Sequence, residues 1–287
     1  MSKADRTRQQ TARARIAAQQ AEQRQAEKRR RTIAIGAIGI AVLAVVGIII
    51  GAVVSSGSSP KQSGASSGAL PASVQAKLAV PASTLATIGA GSALPSALKS
   101  VNGAALASGG KPEMLYIGAE WCPYCAAERW AMAVALRRFG TFSPLKGIHS
   151  SSTDVYPNTA TLTFYRSTYS SKYLVFAPIE NEDINHNTLV TPTAAQQAIW
   201  NKYDPSNGYP FIDIGNKFIA GTTYNPQVLQ GLTWSQIAAD LQNPSSPVAQ
   251  GADGSANLFT AAICKITGNA PASVCTAAPV SALEGKL

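Results

Sequence analysis

The sequence predicts an α/β domain that follows a single transmembrane helix. The first observation is an uncharged apolar run from Thr32 to Val54, near the N-terminus. The second is that short β-rich runs alternate with helical segments from Lys111 onward. Such alternation is typical of α/β folds. Further helical segments follow the last predicted strands, so we also expect a C-terminal helical extension.

The positive charge of the chain is concentrated at its N-terminus. The 287 residues carry a formal net charge of +9. Residues 1–31 hold ten basic and three acidic side chains, so this tail accounts for +7 of the total. The rest is nearly neutral, whereas a nucleic-acid-binding domain is expected to carry its basic patch on the folded body. We therefore expect no nucleic-acid partner, and we interpret residues 1–31 as a basic tail attracted to anionic lipid.

The uncharged run over residues 32–54 has the length of a membrane anchor. A helix of this length is roughly 34 Å long, and a hydrocarbon core is about 30 Å thick. A cleaved signal peptide is the alternative, but its apolar region normally covers about 7–15 residues. Three arginines precede the run directly, so the positive-inside rule places the tail in the cytoplasm and the rest outside. The predicted location is the cell membrane, with one pass, and the lipid bilayer is a predicted partner.

Two glycines inside the predicted anchor, Gly47 and Gly51, have a spacing that lets transmembrane helices approach closely. This spacing is compatible with a homodimer through the anchor. Glycine is also common in membrane helices that do not associate, so both interpretations stay open.

The segment after the anchor is rich in Ser, Gly and Ala. We predict a flexible linker over residues 55–80, because such composition favours an unstructured chain. A folded domain is predicted over residues 81–278, followed by a short tail at residues 279–287.

The domain contains predicted strands and helices in a clear order. The predicted strands are Met114–Ala119, residues 146–150, and two strands within residues 209–221 that are joined at Gly215-Asn216. The predicted helices cover residues 125–140, 191–204, 233–244 and 256–268, and Thr191 or Thr193 is expected to cap the second of them. We interpret residues 151–192, which contain two β-rich stretches, as an insertion that either covers the domain or binds something.

Two of the four cysteines stand three positions apart in the sequence Trp121-Cys122-Pro123-Tyr124-Cys125. A predicted strand precedes them and a predicted helix follows, so Cys122 is expected at a helix N-terminus, where a thiolate is stabilised. Proline suits the first helical turn. Cys125 follows one turn later on the same face, close enough for a disulfide. We interpret Cys122 as an exposed nucleophile and Cys125 as the shielded thiol that resolves a mixed disulfide.

A second feature is the Tyr209-Pro210 bond, which directly precedes a β-rich run. Proline cannot donate a hydrogen bond within a central strand, so its position there needs an explanation. A cis peptide at Pro210 would turn the backbone sharply as the chain enters the strand, and we predict one.

These motifs together resemble the thioredoxin superfamily. The sequence "CPYC" is similar to the glutaredoxin active-site tetrapeptide, and "AEWC" resembles the segment that precedes it in thioredoxin. The resemblance implies a thioredoxin-like fold in which Pro210 packs against the Cys122–Cys125 pair. It also implies that the backbone of Tyr209 pairs with an extended substrate peptide. Trp121 and Tyr124 are the further candidates for substrate binding.

A second resemblance is more specific. The segments "CPYCAAERWA", "ALRRFG", "SSSTDVYP", "GLTW" and "AAICKITGNAPASVC" resemble the thioredoxin-like domain-of-unknown-function family numbered 929, over roughly residues 80–277. This resemblance implies a fold and no established activity.

The sequence departs from the thioredoxin pattern at one position. Thioredoxins carry a buried Asp, a proton acceptor, six residues before the first cysteine, and Tyr116 stands there in this chain. Fast proton transfer of the thioredoxin kind is therefore in doubt. Glu120 and Glu128 are near in sequence, with an orientation that the sequence does not define.

The other two cysteines, Cys264 and Cys275, are predicted to lie outside the membrane, where disulfides persist. We expect a structural disulfide that closes a short loop, and the alternative is a relay pair that exchanges with Cys122–Cys125. A zinc site needs four ligands, and His149 and His186 are not at ligand spacing, so no metal or cofactor is expected.

The sequence therefore predicts a membrane-anchored, extracytoplasmic thiol–disulfide oxidoreductase. Its expected partners are protein thiols and disulfides, together with a membrane redox partner that resets the cysteine pair. The alternative is a non-catalytic thioredoxin-like binding module with a structural disulfide between Cys122 and Cys125. The structural disulfide is disfavoured because so short a bridge closes almost no loop.

Overall fold

A computed structural model describes residues 68–287. The predicted basic tail, the membrane anchor with its Gly47–Gly51 pair and the first half of the predicted linker, residues 55–67, lie outside these residues. Within residues 68–287, none of the helices has the length and apolar character required to cross a membrane.

The described residues form a mixed α/β structure. The strands are β1 (Gly68–Ala69), β2 (Leu98–Ser100), β3 (Ala107–Ser108), β4 (Lys111–Ala119), β5 (Gly140–Phe142), β6 (Lys146–His149), β7 (Ala160–Thr163), β8 (Tyr169–Ser171), β9 (Val175–Glu182), β10 (Phe211–Ile214) and β11 (Phe218–Ala220). The helices are α1 (Ala72–Lys77), α2 (Ala82–Ile88), α3 (Pro123–Arg137), α4 (Ala194–Tyr203), α5 (Trp234–Asp240), α6 (Pro247–Ile266), α7 (Ala272–Cys275) and α8 (Val280–Glu284).

The main sheet is built around β4. On one edge β4 pairs in parallel with β9, and on the other it pairs antiparallel with β10, which continues to β11 and β2. Short β3 returns antiparallel onto the start of β4. Two small sheets, β1-β6-β7 and β5-β8, lie outside this main sheet. The predicted strands at Met114–Ala119 and around Gly215-Asn216 are confirmed.

Helices cover both faces of the main sheet. Met114 and Tyr116 pack in the larger core, which includes residues of α3 and α6. Leu115 and Ile117 point to the other face and pack with Trp200 of α4. Residues that alternate along a strand face opposite sides, so both faces of β4 are apolar and both are buried.

Part of the predicted insertion belongs to the main sheet. Residues 151–192 include β9, whose Ile179 lies opposite Ile117 of the central strand. The interpretation of this whole range as an insertion is therefore wrong for β9. A parallel neighbour must come from a distant part of the chain through a crossover, so local sequence did not indicate this pairing.

The end of the predicted linker is folded. Leu70, Val74 and Leu78 are all buried in the core. Val74 lies within α1, Leu78 is its C-cap, and Leu70 precedes its N-cap, Pro71. Val74 and Leu78 are four residues apart, on one face of this helix. Residues 68–80 thus belong to the domain, and this corrects the predicted boundary at residue 81.

The C-terminal region contains more helix than predicted. Helix α6 begins at Pro247, nine residues before the predicted start, and the Ser246 hydroxyl caps it by accepting from the Ala249 N–H at 3.0 Å. The predicted tail at residues 279–287 contains α8, whose Val280 and Leu283 are buried against the core. The capping prediction for α4 is confirmed at Thr193, which forms a reciprocal capping box with Gln196.

Candidate functional site

Cys122 occupies the junction that the sequence predicted, between β4 and α3. It is the N-cap of α3, and its sulfur accepts a hydrogen bond from the Cys125 N–H at 3.2 Å. Pro123 takes the first helical position, where a missing N–H costs nothing. Cys122 is only 3% exposed, so the expectation of an exposed nucleophile is wrong. The surrounding aromatic side chains cover the sulfur.

The two sulfurs differ in their acidity. Both cysteines are free thiols. A hydrogen bond from the Cys125 thiol is the main cause that lowers the pKa of Cys122, and the positive charge of Arg129 acts in the same direction. Burial is the main cause that raises the pKa of Cys125 well above its usual value. Cys122 is therefore the thiol that ionises first.

The backbone that precedes Pro210 lies close to the cysteine pair. The Tyr209-Pro210 peptide is cis, which confirms the prediction from the sequence. The Tyr209 carbonyl oxygen is 4.0 Å from the Cys122 sulfur. The backbone that enters β10 thus approaches the reactive sulfur directly.

A cluster of aromatic side chains forms one wall of the site. The Trp121 ring stacks on His186 with centroids 4.5 Å apart and meets Tyr209 edge-on at 5.9 Å. Glu182 holds two of these rings, because it accepts from the Trp121 indole N–H at 2.7 Å and from the Tyr209 hydroxyl at 3.4 Å. The Tyr209 ring also packs on Trp200. We call Trp121, Tyr209 and His186 the aromatic wall.

A second pair of aromatic side chains lies at the start of α3. Tyr124, between the cysteines, is 37% exposed and meets Tyr156 edge-on at 6.1 Å. The adjacent Val155 is 53% exposed. The Ser151 N–H donates to the Trp121 carbonyl at 2.8 Å and ties this loop to the site. The structure thus brings all three predicted substrate-binding residues, Trp121, Tyr124 and Tyr209, around Cys122.

A buried ion pair lies behind the cysteines. Arg129 of α3 donates from Nε and Nη2 to the Glu180 carboxylate at 2.8 and 2.6 Å. Nη2 also donates to the Ala119 carbonyl at 2.7 Å, and Ala119 packs directly against both cysteines. Both charged side chains are fully buried. Sequence reasoning missed this pair, although Arg129 lies one helical turn after Cys125, on the same face.

The two glutamates noted in the sequence have other partners. Glu120 accepts from the Thr163 hydroxyl at 2.7 Å, and burial raises its pKa. Glu128 accepts from the Thr223 N–H and hydroxyl on another side of α3, and burial raises its pKa to about 8. Neither carboxyl hydrogen-bonds to a cysteine.

The second cysteine pair is joined as a disulfide, between Cys264 and Cys275. It lies near the opposite end of β4 from Cys122, because Lys265 and Ile266 line a cavity together with Pro112, at the start of that strand. A strand of this length is roughly 26 Å long. The relay alternative requires the Cys264–Cys275 disulfide to contact Cys122 or Cys125, and this arrangement does not contain such a contact.

The described residues include no group of three or more His, Cys, Asp or Glu side chains that could hold a metal ion. His149 lies against Trp234, and His186 lies in the aromatic wall with a side chain 60% exposed.

Comparison with known proteins identifies one family. A family described as a domain of unknown function (DUF929) matches residues 97–265, which include both free cysteines, Pro210 and the aromatic wall. The search of curated proteins and the search of solved structures each returned no significant match. The chain belongs to the DUF929 family.

Proposed function

We propose that this chain is a membrane-anchored, extracytoplasmic thiol–disulfide oxidoreductase with a thioredoxin-like fold. It acts on protein disulfides through Cys122 and Cys125. The observation that carries the proposal is the different placement of the two thiols at a helix N-terminus. Cys122 is the N-cap of α3 and its sulfur accepts from the Cys125 N–H at 3.2 Å, whereas Cys125 is fully buried one turn later. This placement lowers the pKa of Cys122 and raises that of Cys125.

The topology around the pair supports this fold. The cysteines open the helix of a β4-α3-β9 unit with parallel strands, which is the context in which a Cys-x-x-Cys motif is typical of thioredoxin-like redox proteins. The antiparallel strands β10 and β11 follow, with the cis proline at the entry to β10.

The proposed reaction begins at Cys122. Its thiolate attacks one sulfur of a substrate disulfide, which forms a mixed disulfide and releases the other substrate sulfur as a thiol. Cys125 then attacks the Cys122 sulfur, which frees the second substrate thiol and leaves a Cys122–Cys125 disulfide. The substrate disulfide gains two electrons and the enzyme dithiol loses them, and the reverse sequence oxidises a substrate dithiol. A membrane redox partner resets the pair.

The surroundings of Cys122 suit an extended peptide. The Tyr209 carbonyl accepts from the Cys122 thiol at 4.0 Å, and ionisation of that thiol would free it for a strand-like substrate. The aromatic wall and Tyr124 provide apolar contact area near the reacting atoms. The anchor at residues 32–54 would hold this site at the outer membrane surface, where disulfides form.

The test uses the full-length chain in detergent solution and in cells. In cells, Cys125→Ser is expected to accumulate mixed disulfides with other proteins, because the resolving step is lost. Cys122→Ser is the matched control and is expected to accumulate none. In solution, the Cys122–Cys125 reduction potential is expected above about −300 mV, with Cys122 titrating below its ordinary pKa of about 8.5.

The opposite results would refute the proposal. A disulfide that resists reduction far below about −300 mV, with no trapped protein, would identify a binding module with a structural bridge. The 3% exposure of Cys122 is the observation that favours this second candidate, because a substrate must displace aromatic side chains to reach the sulfur.

A further inference from the structure

A buried guanidinium group lies one helical turn beyond the resolving cysteine, because Arg129 follows Cys125 by four residues in α3. Among the described residues, Arg129 carries the positive charge that is buried in the interior. Its Nε and Nη2 atoms are engaged with Glu180 and Ala119, whereas Nη1 is buried and has no hydrogen-bond partner in residues 68–287. Buried donors are almost always paired, so an unpaired one requires an explanation. The charge of Arg129 favours the thiolate form of both cysteines.

Tyr116 supplies a second unpaired donor on the same side of the sheet. Its hydroxyl is fully buried and has no hydrogen-bond partner within residues 68–287. A Cβ atom on Gly118 would overlap this hydroxyl, so the Tyr116 side chain extends along β4 toward the cysteine end. Burial raises the pKa of Tyr116, and the charges of Arg129, Glu180 and both cysteines all act on it. The phenol therefore stays protonated and remains a donor.

The titratable groups around Cys125 come from several elements. Cys122 and Arg129 lie at the start and in the second turn of α3, Tyr116 lies in β4, and Tyr209 precedes β10; each interacts electrostatically with Cys125. Glu180 of β9 acts on this group through its ion pair with Arg129. Glu180 is bound bidentately by Arg129 and also accepts from the Phe164 N–H at 3.2 Å. Its charge is thus neutralised, and no carboxylate at the site is placed to take a proton from Cys125.

We propose that Arg129 and Tyr116 stabilise the thiolate of Cys125 when it attacks the mixed disulfide, and that Glu180 positions Arg129 for this role. The proposal rests on the proposed function, because it assigns the resolving step of that reaction. It gives Tyr116 the role of a hydrogen-bond donor at the position where thioredoxins carry a proton acceptor. Both unpaired donors are buried, and buried donors stabilise a developing anion effectively because water is excluded. The proposed role requires each donor to turn toward the Cys125 sulfur as the thiolate forms, since neither donates to it in the resting thiol.

The step balances without a protein base. The Cys125 thiol loses its proton and its sulfur bonds to the Cys122 sulfur, while the bond between Cys122 and the substrate sulfur breaks. The substrate sulfur leaves with the electron pair of that bond and takes up the proton, so it departs as a thiol. Arg129 and Tyr116 lower the energy of the intervening Cys125 thiolate and keep their own protons.

The test measures the reactions of the two thiols, one after the other, in the full-length reduced chain. An aromatic disulfide reagent with a coloured thiolate releases one equivalent when Cys122 attacks, and a second when Cys125 resolves the mixed disulfide. The rate of the second release as a function of pH reports the ionisation of Cys125. No protein substrate is involved in this assay. Its outcome is therefore independent of mixed-disulfide trapping in cells, so failure of this proposal and failure of the proposed function can be told apart.

Two variants remove the proposed donors with little change of shape. Tyr116→Phe removes only the hydroxyl, and Arg129→Gln combined with Glu180→Gln removes both charges without leaving one unpaired. The rate of the second release rises with pH as Cys125 ionises. We expect each variant to raise the pH midpoint of this rate profile by about one unit, and to slow the second release about tenfold at neutral pH. In Tyr116→Phe the first release should keep its midpoint.

Matched controls separate this effect from a general loss of packing. Tyr224→Phe removes a buried hydroxyl that donates to the Ala127 carbonyl elsewhere on α3, and Arg138→Gln removes a guanidinium from the end of that helix. Neither should shift the second release. A Tyr116→Phe variant with the wild-type pH midpoint overturns the role of Tyr116. This variant changes the shape of the side chain very little, so it still tests the proposal if the double variant fails to fold. A folded double variant with the wild-type midpoint overturns the role of Arg129.

Discussion

Asp253 should make the stability of the domain depend strongly on pH. This residue lies within α6 and is fully buried, and neither carboxyl oxygen has a hydrogen-bond partner among the described residues. Burial raises its pKa from 3.8 to about 8. A carboxyl group without donors around it is costly to ionise, so the folded chain keeps this proton while the unfolded chain releases it.

The sign and size of the effect follow from proton linkage. The folded state binds the Asp253 proton more tightly than the unfolded state does. The contribution of this proton to the free energy of unfolding is therefore fully present below about pH 4 and is lost as the pH rises toward 8. Each pH unit in this interval removes about 1.4 kcal/mol. Between pH 5 and pH 8 the wild-type chain should lose about 4 kcal/mol from this group. Asp253→Asn has no proton to lose, so its stability should fall less over the same range.

Urea denaturation of the full chain at both pH values, followed by tryptophan fluorescence, measures this difference. The control is Asp154→Asn, since Asp154 lies in an exposed loop where it accepts from the Val155 N–H. Glu128 also has a pKa of about 8, but it is present in all three proteins and cancels in the comparison. If Asp253→Asn retains the full pH dependence of the wild type, the assignment of the proton to Asp253 is refuted.

Two further predictions concern the C-terminal region. Replacing Cys264 and Cys275 together with serine should lower the free energy of unfolding by about 3 kcal/mol, because the disulfide closes a short loop. Calorimetry would measure this loss of stability. A change in the rate of Cys122 alkylation in the same variant would instead favour the relay alternative. Leu283→Ala should cost about 2–4 kcal/mol because α8 packs this side chain into the core, whereas Leu94→Ala, at a residue 54% exposed, should cost little. Equal losses in the two leucine variants would contradict the assignment of α8 to the core.

Features defined by neighbouring residues were predictable from the sequence. The start of α3 at Cys122, the cap at Thr193 and the turn at Gly215-Asn216 depend on a few adjacent residues with strong local preferences. The cis peptide at Pro210 was predictable because a proline at the entry to a strand has few alternatives.

Features defined by distant residues were not predictable from the sequence. Burial of Cys122 depends on Tyr209, and the partner of Arg129 is Glu180, on a strand reached only through a long crossover. Sequence distance between such residues says little about their distance in space.

The sequence by itself determined the chemistry of this protein: two thiols three residues apart at a strand–helix junction, with a cis proline to follow. It could do so because local spacing places both thiols on one turn of a helix. Only the tertiary structure decided what surrounds them. Trp121 and Tyr209 pack against Cys122 and Cys125, and Arg129 and Tyr116 are buried nearby, because packing of β4, β9 and α3 brings distant residues together.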